Sequence, residues 1–462
     1  MKNWLNNILV DPNKSYPSEF RKENYSLVKI DSRQVSSGDI FLPFQGENIN
    51  SHLFLPEVSN TVSCFFYDKE GISLLTREQI TRVDFTRGIE VTNTLQVLPL
   101  LCLGVCRDFI HKDKVRICSL TGSVGKTTTR SMVVSFLSHL NPLTAEGNFN
   151  NEIGVPLTVL KYKPGYHKCV ILEFGARHLD DISYLCSITE PDITSCINVY
   201  SSHLQEFKSI DNIYEAKSKI FNWGEVISTL GDDSKLKNLA LSTKKDVLFF
   251  GTDPSNNVRL LENKKDDYDN SSYISVRIKG QDEQFRLSTY HTSFGIDLVA
   301  ALSIALRVES DISILKKNIS SYSGTSGRFE LIQKKNYIII NDCYNASYES
   351  VSSSLKTLCK SFKEQKIIIL GDMLELGAVS KELHLKLIPD ILANSPICLI
   401  CIGPNMKEVY DKLSSTVAFK TLYYNSVDEL DYNELNKLII GKVILIKASH
   451  SMNFSRIVNQ LS

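Results

Sequence analysis

The sequence predicts an α/β protein of three domains: a small N-terminal α/β domain, a central doubly wound sheet, and a C-terminal sheet of similar winding. Three observations carry this. The apolar run Val115, Ile117, Cys118, Leu120 stops at Thr121-Gly122. It is followed, past a glycine loop, by Met132, Val133, Phe136, Leu137 and Leu140 at helical spacing, so a buried strand, a loop and a helix follow one another. Further on, strands are readable at 337–340, 367–370, 397–402 and 443–446, with helical segments between the first three. That alternation makes a parallel, Rossmann-like sheet. Finally, 462 residues suit about three domains. We place them at 1–87, 88–309 and 310–462.

Composition excludes several classes. Lys+Arg and Asp+Glu both number 52, so no net charge draws the chain to nucleic acid or a membrane surface. The start, MKNWLNNILV, has neither a basic flank nor a sustained apolar core, so no export signal is visible. The longest apolar run, 97–106, is about half a membrane span and contains Pro99. The 11 cysteines are unevenly scattered and read as reduced thiols of a cytoplasmic protein. Cys398 and Cys401 form a C-x-x-C, but inside the apolar run ICLICIG, where strand packing is expected rather than redox chemistry or zinc.

In chain order, the first informative stretch is IDSRQVSSGDIFLPFQG, 30–46. Ser32 and Arg33 suit a phosphate or a uracil edge, since Arg recognises anions in bidentate fashion; from composition alone a polar turn before a strand is the favoured explanation. A helix is expected over 92–112. Then comes Gly122-Ser123-Val124-Gly125-Lys126-Thr127-Thr128, the glycine loop between strand and helix. In that setting backbone N–H groups and the helix N-terminus cradle phosphate, Lys126 reaches the β/γ-phosphates, and the Thr127 hydroxyl holds Mg²⁺. The strict pattern has one more glycine, where this chain has Leu120.

The segment 146–156, EGNFNNEIGVP, is rich in amides, including Asn151. Strand 169–172 ends at Glu173, the usual place for an Mg²⁺-directed carboxylate downstream of such a loop. Strand 193–199 is followed by His203. A helix is expected over 209–221, capped by Ser209 or Asp211. Its apolar face collects Ile210, Ile213, Ala216, Ile220 and Phe221, and Lys217 falls within that face, opposite Glu215 and Lys219. A buried lysine is costly unless paired or neutralised, which makes Lys217 a functional candidate; a lysine reaching solvent from the stripe's edge is the bland alternative. Residues 231–287 read as β-rich and peripheral, with a surface loop over 256–272, and 298–306 as an apolar helix. In the last region Asp342, Asn345, Asp372, Glu375, Gly403 and Lys447 sit at strand exits, where such sheets bind ligands.

These motifs together resemble the Mur ligase family over nearly the whole chain. TGSVGKTTT, EGNFNNEIGVPLT, ILEFGA, the INV…HL pair ending at His203, AKSKIF around Lys217, SGRFE at Arg328, DCYNAS at Asp342 and GDMLELG follow in order. The asparagine-rich and GDMLELG motifs point to the type that joins D-alanyl-D-alanine to a UDP-N-acetylmuramoyl-tripeptide. The resemblance implies ATP, Mg²⁺ (two ions) and an acyl phosphate intermediate. It implies that Lys126, Thr127, Arg328, Asp342 and Asn345 meet the nucleotide, that Glu173 and His203 serve Mg²⁺, and that Ser32 and Arg33 meet UDP. It also implies a carbamylated Lys217, an anionic oxygen ligand for the second Mg²⁺, and a cytoplasmic monomer. Three segments depart from the family. Asn345-Ala346-Ser347-Tyr348 stands for Asn-Ala-Asn-Pro, Lys447-Ala448-Ser449-His450 stands for Lys-Gly-Ser-Arg, and the usual His-Asn pair is not recognisable around 294–297. The rivals are a ligase of the same superfamily that adds a single amino acid, a folylpolyglutamate synthetase, and a P-loop protein that ligates nothing.

Overall fold

A computed structural model describes residues 2–15, 17, 27–46, 49–201, 204–266 and 271–461. The chain forms two compact units. One comprises Met1–Ser119, Leu140–Gly175 and Asp180–Ile193, the other Leu120–His139, Ala176–Leu179 and Thr194–Ser462.

The first unit opens with four parallel strands paired in sequence order: Val28–Lys29, Ile40–Phe41, Cys64–Tyr67 and Gly88–Glu90. Phe41, Leu55, Val58, Val62, Phe65, Leu75 and Val83 fill one core against them. The helix expected over 92–112 is broken into three. A 3₁₀ turn at Thr94–Gln96 and a π-helical turn at Cys106–Ile110 flank an α-helix at Val97–Val105. Pro99 is tolerated because it lies in the first turn, whose N–H groups lack helical partners. Cys169–Glu173, wholly buried, pairs in parallel with Leu143–Thr144.

In the second unit the phosphate-loop helix runs Lys126–Phe136. Val226–Leu230, Asp246–Gly251 and Val258–Lys265 are parallel neighbours, extended by antiparallel Ser272–Ile278 and Gln281–Leu287. The surface loop expected over 256–272 is therefore corrected. Val258–Lys265 is strand, Ser272 opens the next one, Asn256 is buried, and 267–270 lie outside the described residues. Its Asn, Lys and Asp side chains hide a strand because the ladder is made by backbone groups that composition does not report. The apolar helix is Phe294–Ala305, buried along nearly its whole length.

Six strands make the C-terminal sheet, in the order Glu330–Gln333, Ile338–Asn341, Val443–Lys447, Lys366–Gly371, Cys398–Ile402, Lys420–Tyr424. Only the first pairing is antiparallel. Alternate residues of each central strand enter opposite cores. Ile340, Ile368, Leu370, Leu399 and Leu445 face one, and Ile339, Ile367, Ile369, Ile400 and Ile444 the other. Burial on both faces is why these strands read as continuous apolar runs. Cys398 and Cys401 are buried within them, and burial pushes the Cys398 thiol up to about 11. The last strand inserts between Ile338–Asn341 and Lys366–Gly371, so three strand exits meet at a switch in strand order, the place where open α/β sheets bind ligands. Among the described residues no helix is long and apolar enough to cross a membrane. Together the sheets give the α/β class expected from the sequence.

Candidate active site

The phosphate loop is held by its neighbours. Gly122 must be glycine, since a Cβ there would lie 2.4 Å from Ile197 Cγ1. Asn198, just past strand Ile193–Cys196, braces the loop. Its Oδ1 accepts from the N–H groups of Ser123 and Val124, each at 3.0 Å, and its Nδ2 donates to the Val124 carbonyl at 2.8 Å. The Ser123 hydroxyl donates to the Tyr200 carbonyl and accepts from the Tyr200 N–H. Gly125 takes a left-handed conformation, φ 80°, to start the helix. The Ser123 and Val124 N–H groups are engaged by Asn198, and past them the first turn from Gly125 to Thr128 presents helix N–H groups and a macrodipole that favour negative charge.

Two cations bear on this turn. The Lys126 ammonium donates to the Gly122 and Ser123 carbonyls at 2.8 and 3.2 Å. Arg328 Nη2 donates to the Thr127 hydroxyl at 2.9 Å. The guanidinium stacks 4.2 Å over the Tyr344 ring, and its Nε is buried without a partner. An orphaned buried guanidinium N–H beside a phosphate loop is a place an anion would satisfy. Asp297 also faces the loop. A Cβ on Gly125 would lie 2.6 Å from its Oδ1, and its Oδ2 accepts from Ser293. Burial pushes the Asp297 carboxyl up to about 7, against the Ser293 hydrogen bond and the Arg328 charge. Ser293 in turn meets His291, a ring that burial holds near 4 and hence neutral.

Lys217 lies where its periodicity puts it. The helix Ile210–Ser218 is capped by the Ser209 hydroxyl, which accepts from Asn212, and Ile213, Ala216, Lys217, Ile220 and Phe221 are buried. Ile210 is instead 36% exposed, because the first helical residue lies at the frayed edge of the stripe. Burial pushes the Cys196 thiol up to about 12, opposed by the positive charges of both Lys217 and Lys126.

Buried Glu173 accepts from Asn150 Nδ2 at 3.0 Å, which ties the amide-rich loop to the strand's carboxyl end. Asn151 Oδ1 accepts from the Gly154 N–H, which opens the helix Gly154–Val159. Arg33 is 87% exposed and forks onto Asp31 at 2.8 and 2.9 Å, with Ser32 in the same 3₁₀ turn. His203 lies outside the described residues. Asp372 is buried and spends its oxygens on the Asn405 and Met406 N–H groups that start the helix Met406–Ser414. Asp342 meets Lys447, Ser354 and the Phe329 N–H. Asn345 is exposed and accepts from its neighbour Ala346.

Sequence reasoning does not single out Asn198 or Asp297, nor the pairing of Lys447 with Asp342. For Asn198 one signal exists, a polar amide directly after an apolar strand of a doubly wound sheet.

Fold and loop define a P-loop protein of the α/β class. The Mur ligase middle domain matches residues 120–301, and the Mur ligase glutamate ligase domain matches residues 327–450. A UDP-N-acetylmuramoyl-tripeptide–D-alanyl-D-alanine ligase of Buchnera aphidicola is 31% identical over 458 residues, 94% of this chain and 92% of that protein. The chain belongs to the Mur ligase family. The crystal structure of MurF from Thermotoga maritima in complex with ADP superposes with a TM-score of 0.80 at 25% identity, covering 95% of this chain and 97% of that one. MurF from Acinetobacter baumannii gives 0.82 at 24% identity over 94% and 92%, and shares the fold.

Proposed function

We infer that this chain is an ATP-dependent ligase that joins D-alanyl-D-alanine to a UDP-N-acetylmuramoyl-tripeptide, a step in making peptidoglycan precursors. The observation that carries the reading is the arrangement at Thr127. A phosphate loop with its lysine meets a guanidinium from the C-terminal sheet's domain, the two cations that phosphoryl transfer needs. The full-length relative supplies the substrates.

In this reading the N-terminal domain, 1–87, binds the UDP end through Ser32 and Arg33. The central domain, 88–309, and the C-terminal domain, 310–462, hold ATP between Gly122–Thr128 and Arg328, with Asn151, Asp342 and Asn345 bordering it. The tripeptide's terminal carboxylate attacks the γ-phosphorus, the bond to the β-bridging oxygen breaks, and ADP leaves. Lys126 and Arg328 neutralise the charge that spreads over the transferring group. The dipeptide amine then attacks the acyl phosphate carbon. The tetrahedral intermediate loses a proton and expels phosphate, leaving the amide. Burial pushes the Asp297 carboxyl up to about 7, so below that pH its proton spares the phosphates a further negative charge.

Hard oxygen donors suit Mg²⁺, and Thr127 and Glu173 would hold it with His203 and a carbamylated Lys217. Bound there, Mg²⁺ supplies charge neutralisation on the phosphate oxygens. Among the described residues no three His, Cys, Asp or Glu side chains cluster as a metal site. A cytoplasmic monomer fits soluble UDP-linked substrates.

Lys126→Ala tests the role of the loop. Phosphate release should fall by about 10³-fold or more, while the melting temperature stays near that of the parent. Ligation above a few per cent of the parent rate would remove Lys126 from the mechanism.

A further inference from the structure

Lys447 is buried, 2% exposed, at the end of strand Val443–Lys447. Because Ile446 pairs with Asn341 across the two central strands, the residues that follow, Asp342 and Lys447, meet. The ammonium lies 2.8 Å from Asp342 Oδ2 and donates to the Asn345 carbonyl at 3.0 Å. The same Oδ2 accepts from the Ser354 hydroxyl. The other oxygen, Oδ1, accepts from the Phe329 N–H at 3.1 Å.

Phe329 is the informative partner. Its φ is 55°, a left-handed conformation that a bulky side chain adopts only when its surroundings impose it. The residue before it is Arg328, whose guanidinium reaches Thr127. The turn around Arg328 is tied from other sides too. Its N–H donates to the Thr325 carbonyl, and Glu330 accepts from Gly327 and Ser326. A buried ion pair is a poor way to gain stability, and so is a strained backbone. Both become intelligible when they aim a side chain.

We propose that Lys447 is a positioning residue for phosphoryl transfer. It fixes the Asp342 carboxylate, which holds Phe329 in its left-handed conformation and so directs Arg328 onto the phosphate loop at Thr127. The proposal rests on the reading of this loop as the ATP site. Lys447 acts through the Asp342 carboxylate and the Asn345 carbonyl that its ammonium holds.

The test compares a non-hydrolysable ATP analogue with ADP, in the full chain, for Lys447→Met, Arg328→Ala and the double variant. In that reading Arg328, at the Thr127 hydroxyl, meets the terminal phosphate. Lys447→Met should therefore weaken the analogue about tenfold and ADP less than about twofold, and lower kcat more than it raises KM for the UDP substrate. In the Arg328→Ala background, Lys447→Met should add less than about twofold, since the two act as one unit. If Lys447→Met does not fold, Ser354→Ala loosens the same carboxylate more gently and should show the same preference at smaller size. Equal loss of both nucleotides, or effects that multiply independently while Arg328→Ala is impaired, would overturn the positioning role. An Arg328→Ala variant that binds the analogue as the parent does would overturn the ATP reading along with it.

Discussion

Asp297→Asn is the most informative single change outside the phosphate loop itself. The carboxyl is buried against Gly125, with Ser293 as its hydrogen-bond donor, and burial pushes it from the ordinary 3.8 up to about 7. The folded protein therefore holds a proton that the unfolded chain has lost anywhere between those two values. Stability from this group is complete below pH 3.8, falls as pH rises through the window, and levels off above about 7. Each pH unit is worth about 1.4 kcal/mol, so the whole window amounts to about 4 kcal/mol. Asparagine keeps the shape and never ionises. The difference in unfolding free energy, variant minus parent, should thus grow by about 4 kcal/mol in favour of the variant from acid to pH 8. Taking the difference removes the titration of His291 and other groups common to both. Denaturant unfolding at half-unit pH steps measures it. A difference that is flat with pH, or that favours the parent as pH rises, would refute the reasoning.

Gly125→Ala combines a left-handed φ of 80° with a Cβ 2.6 Å from Asp297 Oδ1. It should cost about 1–2 kcal/mol of stability in denaturant unfolding and remove most nucleotide binding by calorimetry. Lys217→Ala should stay folded, because a small side chain suits the buried face formed by Ile213, Ala216 and Ile220, yet lose ligation. Acetate, which can enter the vacated space, should partly restore it. Near-parental ligation by Lys217→Ala, or full activity in Lys217→Arg, would contradict a carbamate at this position.

What could be read in the sequence follows the range of the interactions. The phosphate loop and the central C-terminal strands were legible because a few adjacent residues specify them. Lys217 was legible because helical periodicity alone places it among Ile213, Ala216 and Ile220. Ile210 was misjudged because the wheel ignores where a helix begins. The strand at 258–265 was misread as loop because its polar side chains mask a backbone ladder with 272–278. Asn198 and Asp297, and the pairing of Lys447 with Asp342, were invisible for a different reason. Asn198 grips Val124, Asp297 faces Gly125, and Lys447 meets Asp342. Each partner lies far away along the chain, and only the packed strands and helices bring them together. The exposed fork of Arg33 on Asp31 adds a contrast, since a motif legible in sequence there takes its partner from two residues away.

The central claim is a ligation with two specific organic substrates and ATP, and the dependence of phosphate release on the amine tests it most directly. With UDP-N-acetylmuramoyl-tripeptide and ATP present, release should be slow until D-alanyl-D-alanine is added. It should then run in step with a new product whose mass is that of the two substrates joined less water. Release that is equally fast with single amino acids, with glutamate, or with no amine at all would contradict the account.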